Sequence, residues 1–230
     1  WVKAFFSTTA RDAKLTAPYI GVDVGGEGDD SSEGYGRDAL LARHLFSEGT
    51  STPESVAKLT IKAIDMTEAD SRDVSIDNFG AGADVSAKIT LLSERDLFCQ
   101  GVNVGMKCED PDDRKVYFNE RARLADMLLK WGIQGGKCIP DEQLRKELEG
   151  IYCKEEANGK LQVMPKKKMK ALGLRSPNRV DALWLSFSQD TAFAMRVPRG
   201  DHLYYPDRPE EEKENNTVNP ANRHRMISML

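Results

Sequence analysis

The chain has 230 residues, 40% hydrophobic and 30% charged, with a formal net charge of −4, enough for one compact domain with a sizeable core. No stretch approaches the roughly 20 apolar residues of a membrane span, and Trp1-Val2-Lys3-Ala4-Phe5-Phe6 is too short and ill-flanked for a signal peptide. A soluble, intracellular protein with no membrane partner is therefore expected, and the absence of methionine at position 1 suggests part of a longer chain.

Tyr19-Ile20-Gly21-Val22-Asp23-Val24-Gly25-Gly26 reads as a short buried strand running into a glycine-rich turn. After the loop at 27–34, the stretch to Phe46 alternates loosely and is expected to form two strands hinged at Arg37-Asp38. Thr52 then offers an N-cap ahead of Pro53, and Val56, Leu59, Thr60, Ala63 and Ile64 follow at helical spacing. Asp73-Val74-Ser75-Ile76-Asp77 is a second short strand, ending at Gly80-Ala81-Gly82. A helix over 83–94 and a strand over 97–104 come next.

Residues 119–131 predict an amphipathic helix with Ala122, Leu124, Ala125, Leu128 and Leu129 on its apolar face, and 140–148 a shorter one. Asn158-Gly159 is a two-residue hairpin signal, flanked by strands at 150–155 and 160–164, so that a β-hairpin spans about 150–164. Ser176-Pro177 announces a last helix through Val180, Leu183, Trp184 and Phe187. From Pro198 onward proline, charge and asparagine predict an irregular tail. The order of elements implies an α/β architecture, a mixed β-sheet covered by helices.

Three aspartates stand in settings that ordinarily exclude carboxylates. Asp23 lies inside an apolar strand, Asp77 ends a second one, and Asp181 falls within the apolar run of the last helix. Burying a carboxylate costs several kcal/mol unless it is paired or metal-bound. Three that converge repel one another and call for divalent cations, and carboxylate oxygens suit Mg²⁺ or Mn²⁺. Two such ions about 4 Å apart can activate water and stabilise the leaving oxygen of a phosphodiester. Asp29 or Asp30 could add a further oxygen. Bland readings exist: a strand-end Asp77 as a turn residue, and Asp181 balancing a helix dipole. Asp23 has no such local explanation.

The acidic total hides a basic segment, with Lys160, Lys166, Lys167, Lys168, Lys170, Arg175 and Arg179 and no acid among them. It is either a solvated helix face or a phosphate-binding surface leading into the Asp181 helix. Gly25-Gly26-Glu27-Gly28 runs into Asp29-Asp30, whose charge opposes phosphate. Gly132 to Cys138 lacks the first glycine and the Ser/Thr of a nucleotide-binding loop, so no ATPase motif is present. Cys99, Cys108, Cys138 and Cys153 form no C-x-x-C pair and are expected to be reduced and buried. Of three histidines two lie in the tail, leaving His44 alone for any histidine chemistry, which does not favour a Ser/Cys-His site.

Three motifs resemble the nuclease domain of the large terminase subunit of tailed bacteriophages, which has a ribonuclease H-like fold. They are Gly21-Val22-Asp23-Val24-Gly25-Gly26-Glu27-Gly28-Asp29-Asp30, Ile76-Asp77-Asn78-Phe79-Gly80-Ala81-Gly82, and Gly173-Leu174-Arg175-Ser176-Pro177-Asn178-Arg179-Val180-Asp181-Ala182-Leu183. The resemblance covers about 19–187 and departs at Asn178, where many relatives have aspartate, and at Asn78-Phe79.

It implies a ribonuclease H-like nuclease domain over 1–190 with the added hairpin, and a tail over 191–230. It implies catalytic Asp23, Asp77 and Asp181 binding two Mg²⁺ or Mn²⁺ ions, with Asp29 as an accessory ligand. Lys166 would approach the scissile phosphate, and Lys167, Lys168, Lys170, Arg175 and Arg179 would meet DNA. The implied activity is cutting of double-stranded viral DNA concatemers during genome packaging, in the host cytoplasm. Implied partners are double-stranded DNA, an N-terminal ATPase domain of the same full-length protein, and the portal and small terminase subunit. A junction resolvase or transposase-like nuclease, or a non-catalytic DNA-binding or docking module, are the competing readings.

Overall fold

The computed structural model describes residues 2–7, 13–26, 31–196 and 226–228. After a short helix α1 (Val2–Phe5), the first three strands run antiparallel: β1 (Tyr19–Asp23), β2 (Ser32–Arg37) and β3 (Leu41–Glu48), with the expected hinge at Asp38. Helix α2 (Pro53–Thr67) begins where the sequence predicts. Thr52 Oγ1 accepts from the Ser55 amide and Ser55 Oγ from the Thr52 amide, so two otherwise orphaned donors are satisfied. Strand β4 (Val74–Asp77), helix α3 (Ala83–Leu92) and strand β5 (Gln100–Val102) follow. The expected strand at 97–104 is thus only three residues long.

Helices α4 (Asp113–Val116) and α5 (Glu120–Ile133) lead to β6 (Lys137–Cys138) and α6 (Glu142–Glu149), whose N-cap Asp141 accepts from the amides of Gln143 and Leu144. The hairpin is β7 (Tyr152–Glu155) and β8 (Leu161–Val163), with Gly159 at φ 78° in its turn. Then come α7 (Lys166–Ala171), α8 (Asn178–Leu185), α9 (Thr191–Arg196) and β9 (Met226–Ser228).

Six strands form one sheet in the order β5-β4-β1-β2-β3-β6; β1, β4 and β5 are parallel, as are β3 and β6. The mixed α/β architecture is as expected. The span expected to be an irregular tail is regular in two places: α9 extends the chain past residue 190, and β9 pairs with β7 as a third strand beside the hairpin. The remainder of that span lies outside the described residues.

Strand alternation divides the core in two. Ile20 and Val22 of β1 and Val74 and Ile76 of β4 face one way, against Val56, Ile64, Val85 and Ile89 of α2 and α3. The opposite face is covered by α5, α6 and α8 through Leu124, Leu128, Leu144, Leu183, Trp131, Trp184 and Phe187. Asp23 and Asp77 follow the alternation onto this second face, beside α8. Gly21 permits the close approach: a Cβ there would sit 2.0 Å from the Ala182 carbonyl oxygen and 2.5 Å from the Ser186 nitrogen. Helix α8 therefore lies directly on the backbone of β1. All four cysteines are free and buried, and among the described residues no helix is long and apolar enough to cross a membrane.

Candidate metal centre

Of the three predicted aspartates, Asp23 and Asp181 meet at one ammonium, and Asp77 lies near enough for its charge to act on Asp23. Asp23 ends β1, Asp77 ends the parallel neighbour β4, and Asp181 sits in the first turn of α8, on the face that lies against β1. Asp23 is 3% exposed and Asp181 5%. Asp77 is half-buried, and its Oδ1 accepts from the Phe79 amide in the turn after β4. Gly82 lets that turn close, since a Cβ there would meet the Asp77 carbonyl oxygen at 1.7 Å.

Two cations serve this cluster. Lys166, the first residue of α7, places Nζ 2.7 Å from Oδ2 of Asp181 and 3.6 Å from Oδ1 of Asp23. Arg121, from the first turn of α5, donates through Nε to Oδ1 of Asp181 at 3.0 Å. Burial and these partners separate the two carboxyls. Desolvation pushes Asp23 up to about 8, since Lys166 offsets it only partly and Asp181 and Asp77 add repulsion. Asp181 is equally desolvated, yet Arg121 and Lys166 together hold it below the usual carboxylate range. Asp77 is raised by burial, against its Phe79 hydrogen bond and the charge of Lys166. Burial opposes the charge of Lys166, yet Asp181 and Asp23 raise it above the usual lysine range.

Among the described residues no three Asp, Glu, His or Cys side chains stand together at metal-binding distances. In its place, Asp23 and Asp181 share one ammonium. The pair is thus already arranged around a common cation, and the all-carboxylate donor set matches Mg²⁺ or Mn²⁺ rather than a softer metal. Asp29 lies outside the described residues.

The basic segment divides. Lys167, Lys168 and Lys170 are exposed on α7, and Arg175 is exposed in the loop that follows. Arg179 is placed differently from expectation. Its Nη1 bonds Asp141 Oδ1 at 2.6 Å and its Nε lies 3.3 Å from Glu33 Oε2, with the side chain 19% exposed. Two carboxylates compensate that guanidinium. Asn178, the departure in the third motif, donates through Nδ2 to the Ser31 carbonyl at 3.1 Å and ties the start of α8 to the chain leading into β2.

Sequence reading missed Arg121 and Glu33. Arg121 stood unremarked in an amphipathic helix, on a flank that only packing with α8 turns inward. Glu33 belonged to a stretch read as loop and loose strand. Its carboxylate is 1% exposed and accepts from Ser31 Oγ at 2.6 Å and Ser47 Oγ at 2.8 Å, with His44 Nε2 at 2.7 Å. These bonds lower Glu33 although burial opposes them.

The six-stranded mixed sheet flanked by helices, with a carboxylate at the ends of two adjacent parallel strands and a third on the covering helix, has likenesses among solved structures. Among solved structures, the nuclease domain of the large terminase subunit of bacterial virus Sf6 matches with a TM-score of 0.66 and 21% identity, over 81% of this chain and 95% of that one. A lysine-to-alanine mutant of that domain, solved with manganese and beta-thujaplicinol, gives 0.67 at the same identity and coverage. The large terminase nuclease of thermophilic phage G20c gives 0.52 at 16% identity, over 78% of this chain and 84% of that one. By sequence the chain matches no family model and no curated protein. At these identities the likeness is one of fold.

Proposed function

We propose that this chain is a divalent-metal-dependent endonuclease domain that cuts double-stranded viral DNA concatemers during genome packaging. The observation that carries the reading is that Asp23 of β1 and Asp181 of α8 share the Lys166 ammonium, with the charge of Asp77 of β4 acting on Asp23. The terminase nuclease domains of the same fold lend support, since structures of them were solved with manganese, calcium, cobalt or magnesium.

Asp23, Asp77 and Asp181 would hold two Mg²⁺ or Mn²⁺ ions, with Asp29 as an accessory oxygen donor. Such ions would activate water toward a phosphodiester and stabilise the departing oxygen. The chain's own residues do the rest. Asp181, kept ionised by Arg121, offers a permanent anion. Burial pushes Asp23 up to about 8, so a cation held there would compete with a proton. Lys166 sits at the mouth of the cluster with its side chain 40% exposed, within reach of a phosphate lying over the carboxylates. Lys167, Lys168, Lys170 and Arg175 extend this positive surface along the DNA backbone. In the full protein the partners would be an N-terminal ATPase domain, the portal and the small terminase subunit, assembled in the host cytoplasm.

The test is supercoiled and linear plasmid incubated with the protein and Mn²⁺, then with chelator. Cleavage of plain duplex that chelation stops supports the reading. Cutting confined to branched DNA would reassign the chain to a junction resolvase, and no metal-dependent cutting would leave a binding or docking module.

A further inference from the structure

Arg121 and Lys166 take opposite oxygens of the same carboxylate: Arg121 Nε bonds Oδ1 of Asp181 at 3.0 Å, and Lys166 Nζ lies 2.7 Å from Oδ2. Their surroundings differ. Lys166 stands on α7 with its side chain 40% exposed, whereas the Arg121 side chain is 9% exposed. Two further contacts hold the guanidinium. Nη1 donates to the Met164 carbonyl at 3.0 Å, and the group lies 5.0 Å from the centre of the Trp184 ring. Asp181 and Trp184 are three residues apart on α8 and so share a face. Arg121 thus spans two residues of α8 and the carbonyl just before α7, joining the elements that carry Asp181 and Lys166.

We propose that Arg121 is the positioning residue of the candidate metal centre, pinning Asp181 by Oδ1 so that Oδ2 alone is turned toward Asp23 and the shared cation. An unpinned aspartate on a helix rotates about its terminal torsion, a broad and roughly two-fold well. The guanidinium fork removes that freedom, because its donors are fixed in one plane and two of them are anchored on different elements. The inference rests on reading the aspartates as a metal centre, and it can fail separately from that reading.

The sign of one measurement separates positioning from its alternatives. Deleting a positive charge beside a cation site should tighten metal binding if charge were all that mattered. Loss of packing alone would lower the melting temperature and leave metal affinity unchanged. Loss of positioning weakens metal binding, by about tenfold or more where a hydrogen-bond partner of a metal ligand is removed.

The experiment is calorimetric titration of Mn²⁺ into the full chain without DNA, for wild type, Arg121→Gln, Arg121→Lys and Asp181→Asn, with a melting curve for each. The expected result is binding by wild type, none by Asp181→Asn, and a Kd about tenfold higher for Arg121→Gln. Arg121→Lys, which keeps the charge and loses the fork, should fall between wild type and Arg121→Gln. A folded Arg121→Gln protein with an equal or lower Kd overturns the proposal. If that variant does not fold, Arg121→Lys decides: a raised Kd supports the proposal and the wild-type value overturns it. Wild type that takes up no Mn²⁺, or Asp181→Asn that takes it up equally, overturns the metal-centre reading itself.

Discussion

Asp23 and Glu33 are paired residues of neighbouring antiparallel strands, both all but buried, yet their chemistry has gone opposite ways. Side chains so opposed share a face and stand about 5 Å apart at Cβ. Glu33 is closed in by Ser31, Ser47, His44 and Arg179, and its carboxyl is held below the ordinary range. Arg179 carries the network on to Asp141, which also accepts from the Tyr35 hydroxyl. Among the described residues Asp23 has one ion-pair partner, Lys166 at 3.6 Å, with the charge of Arg121 farther off and two carboxylates nearby, and burial pushes it up to about 8. Burial is the same in both places; satisfaction is not. A buried carboxylate with all its partners is scaffold, and one left short of partners is poised for something the protein does not itself supply.

The comparison breaks most visibly at Asp23 and Asp181. Asp23→Asn or Asp181→Asn should reduce Mn²⁺-dependent plasmid cleavage by roughly a thousandfold or more, the scale at which essential members of a catalytic unit fail. Circular dichroism should show an intact fold, and Asp23→Asn should melt no lower than wild type without metal, because it removes a buried carboxyl that Lys166 compensates only partly. Full metal-dependent cutting by both variants would remove the aspartates from the chemistry.

At Glu33, on the same face of the sheet, the loss should be one of stability. Arg179→Ala removes the cation between Glu33 and Asp141 and should cost up to about 3 kcal/mol in urea unfolding, the scale of a broken buried ion pair. Its Mn²⁺ affinity should match wild type. Unchanged stability with weakened DNA binding would return Arg179 to the phosphate-facing set.

Glu147 tests the same principle through pH. It accepts from the Val180 amide at 3.0 Å, and burial pushes it up to about 7 from an ordinary 4.5. A carboxyl raised on folding binds more protons in the native state between those values. Its favourable contribution is therefore complete below about 4.5 and is lost as pH climbs through 7. Glu147→Gln should flatten that decline, melting higher than wild type at pH 8 by the equivalent of roughly 2–3 kcal/mol and no higher at pH 4. Parallel melting curves across that range would show that Glu147 does not carry the shift.

The smallest effect belongs to the exposed lysines. Replacing Lys167, Lys168 and Lys170 by alanine should weaken duplex binding at all sequences alike. Fluorescence anisotropy over a salt series should show the log–log slope shallower by about 0.9 for each lysine that meets a phosphate. A slope equal to that of wild type would make α7 a solvated face and nothing more.

Much of this was legible in the chain itself. The apolar settings of Asp23 and Asp181, the Thr52-Pro53 helix start, the Arg37-Asp38 hinge and the Asn158-Gly159 turn are local signals, each set by neighbours within a few residues. Period-two alternation was enough to put Asp23 and Asp77 on one side of their strands, and the order of elements was enough for a mixed sheet under helices. Local signals were poorer guides at the edges: β5 keeps three residues of its expected length, and β9 comes from a span with no strand pattern.

Partnership was not legible, because it depends on which elements lie together. Arg121 and Asp181 are sixty positions apart, and Arg179 reaches Asp141 across thirty-eight. Arg121 goes unremarked and Arg179 reads as a cation for DNA until α5, α6 and α8 stack on the sheet, with Gly21 letting α8 rest on β1. Sequence by itself determined where carboxylates are placed at a cost, since strand and helix periodicity act over short range. Tertiary structure alone decided which of those carboxylates are compensated, since a counter-charge comes from whatever the fold packs against them.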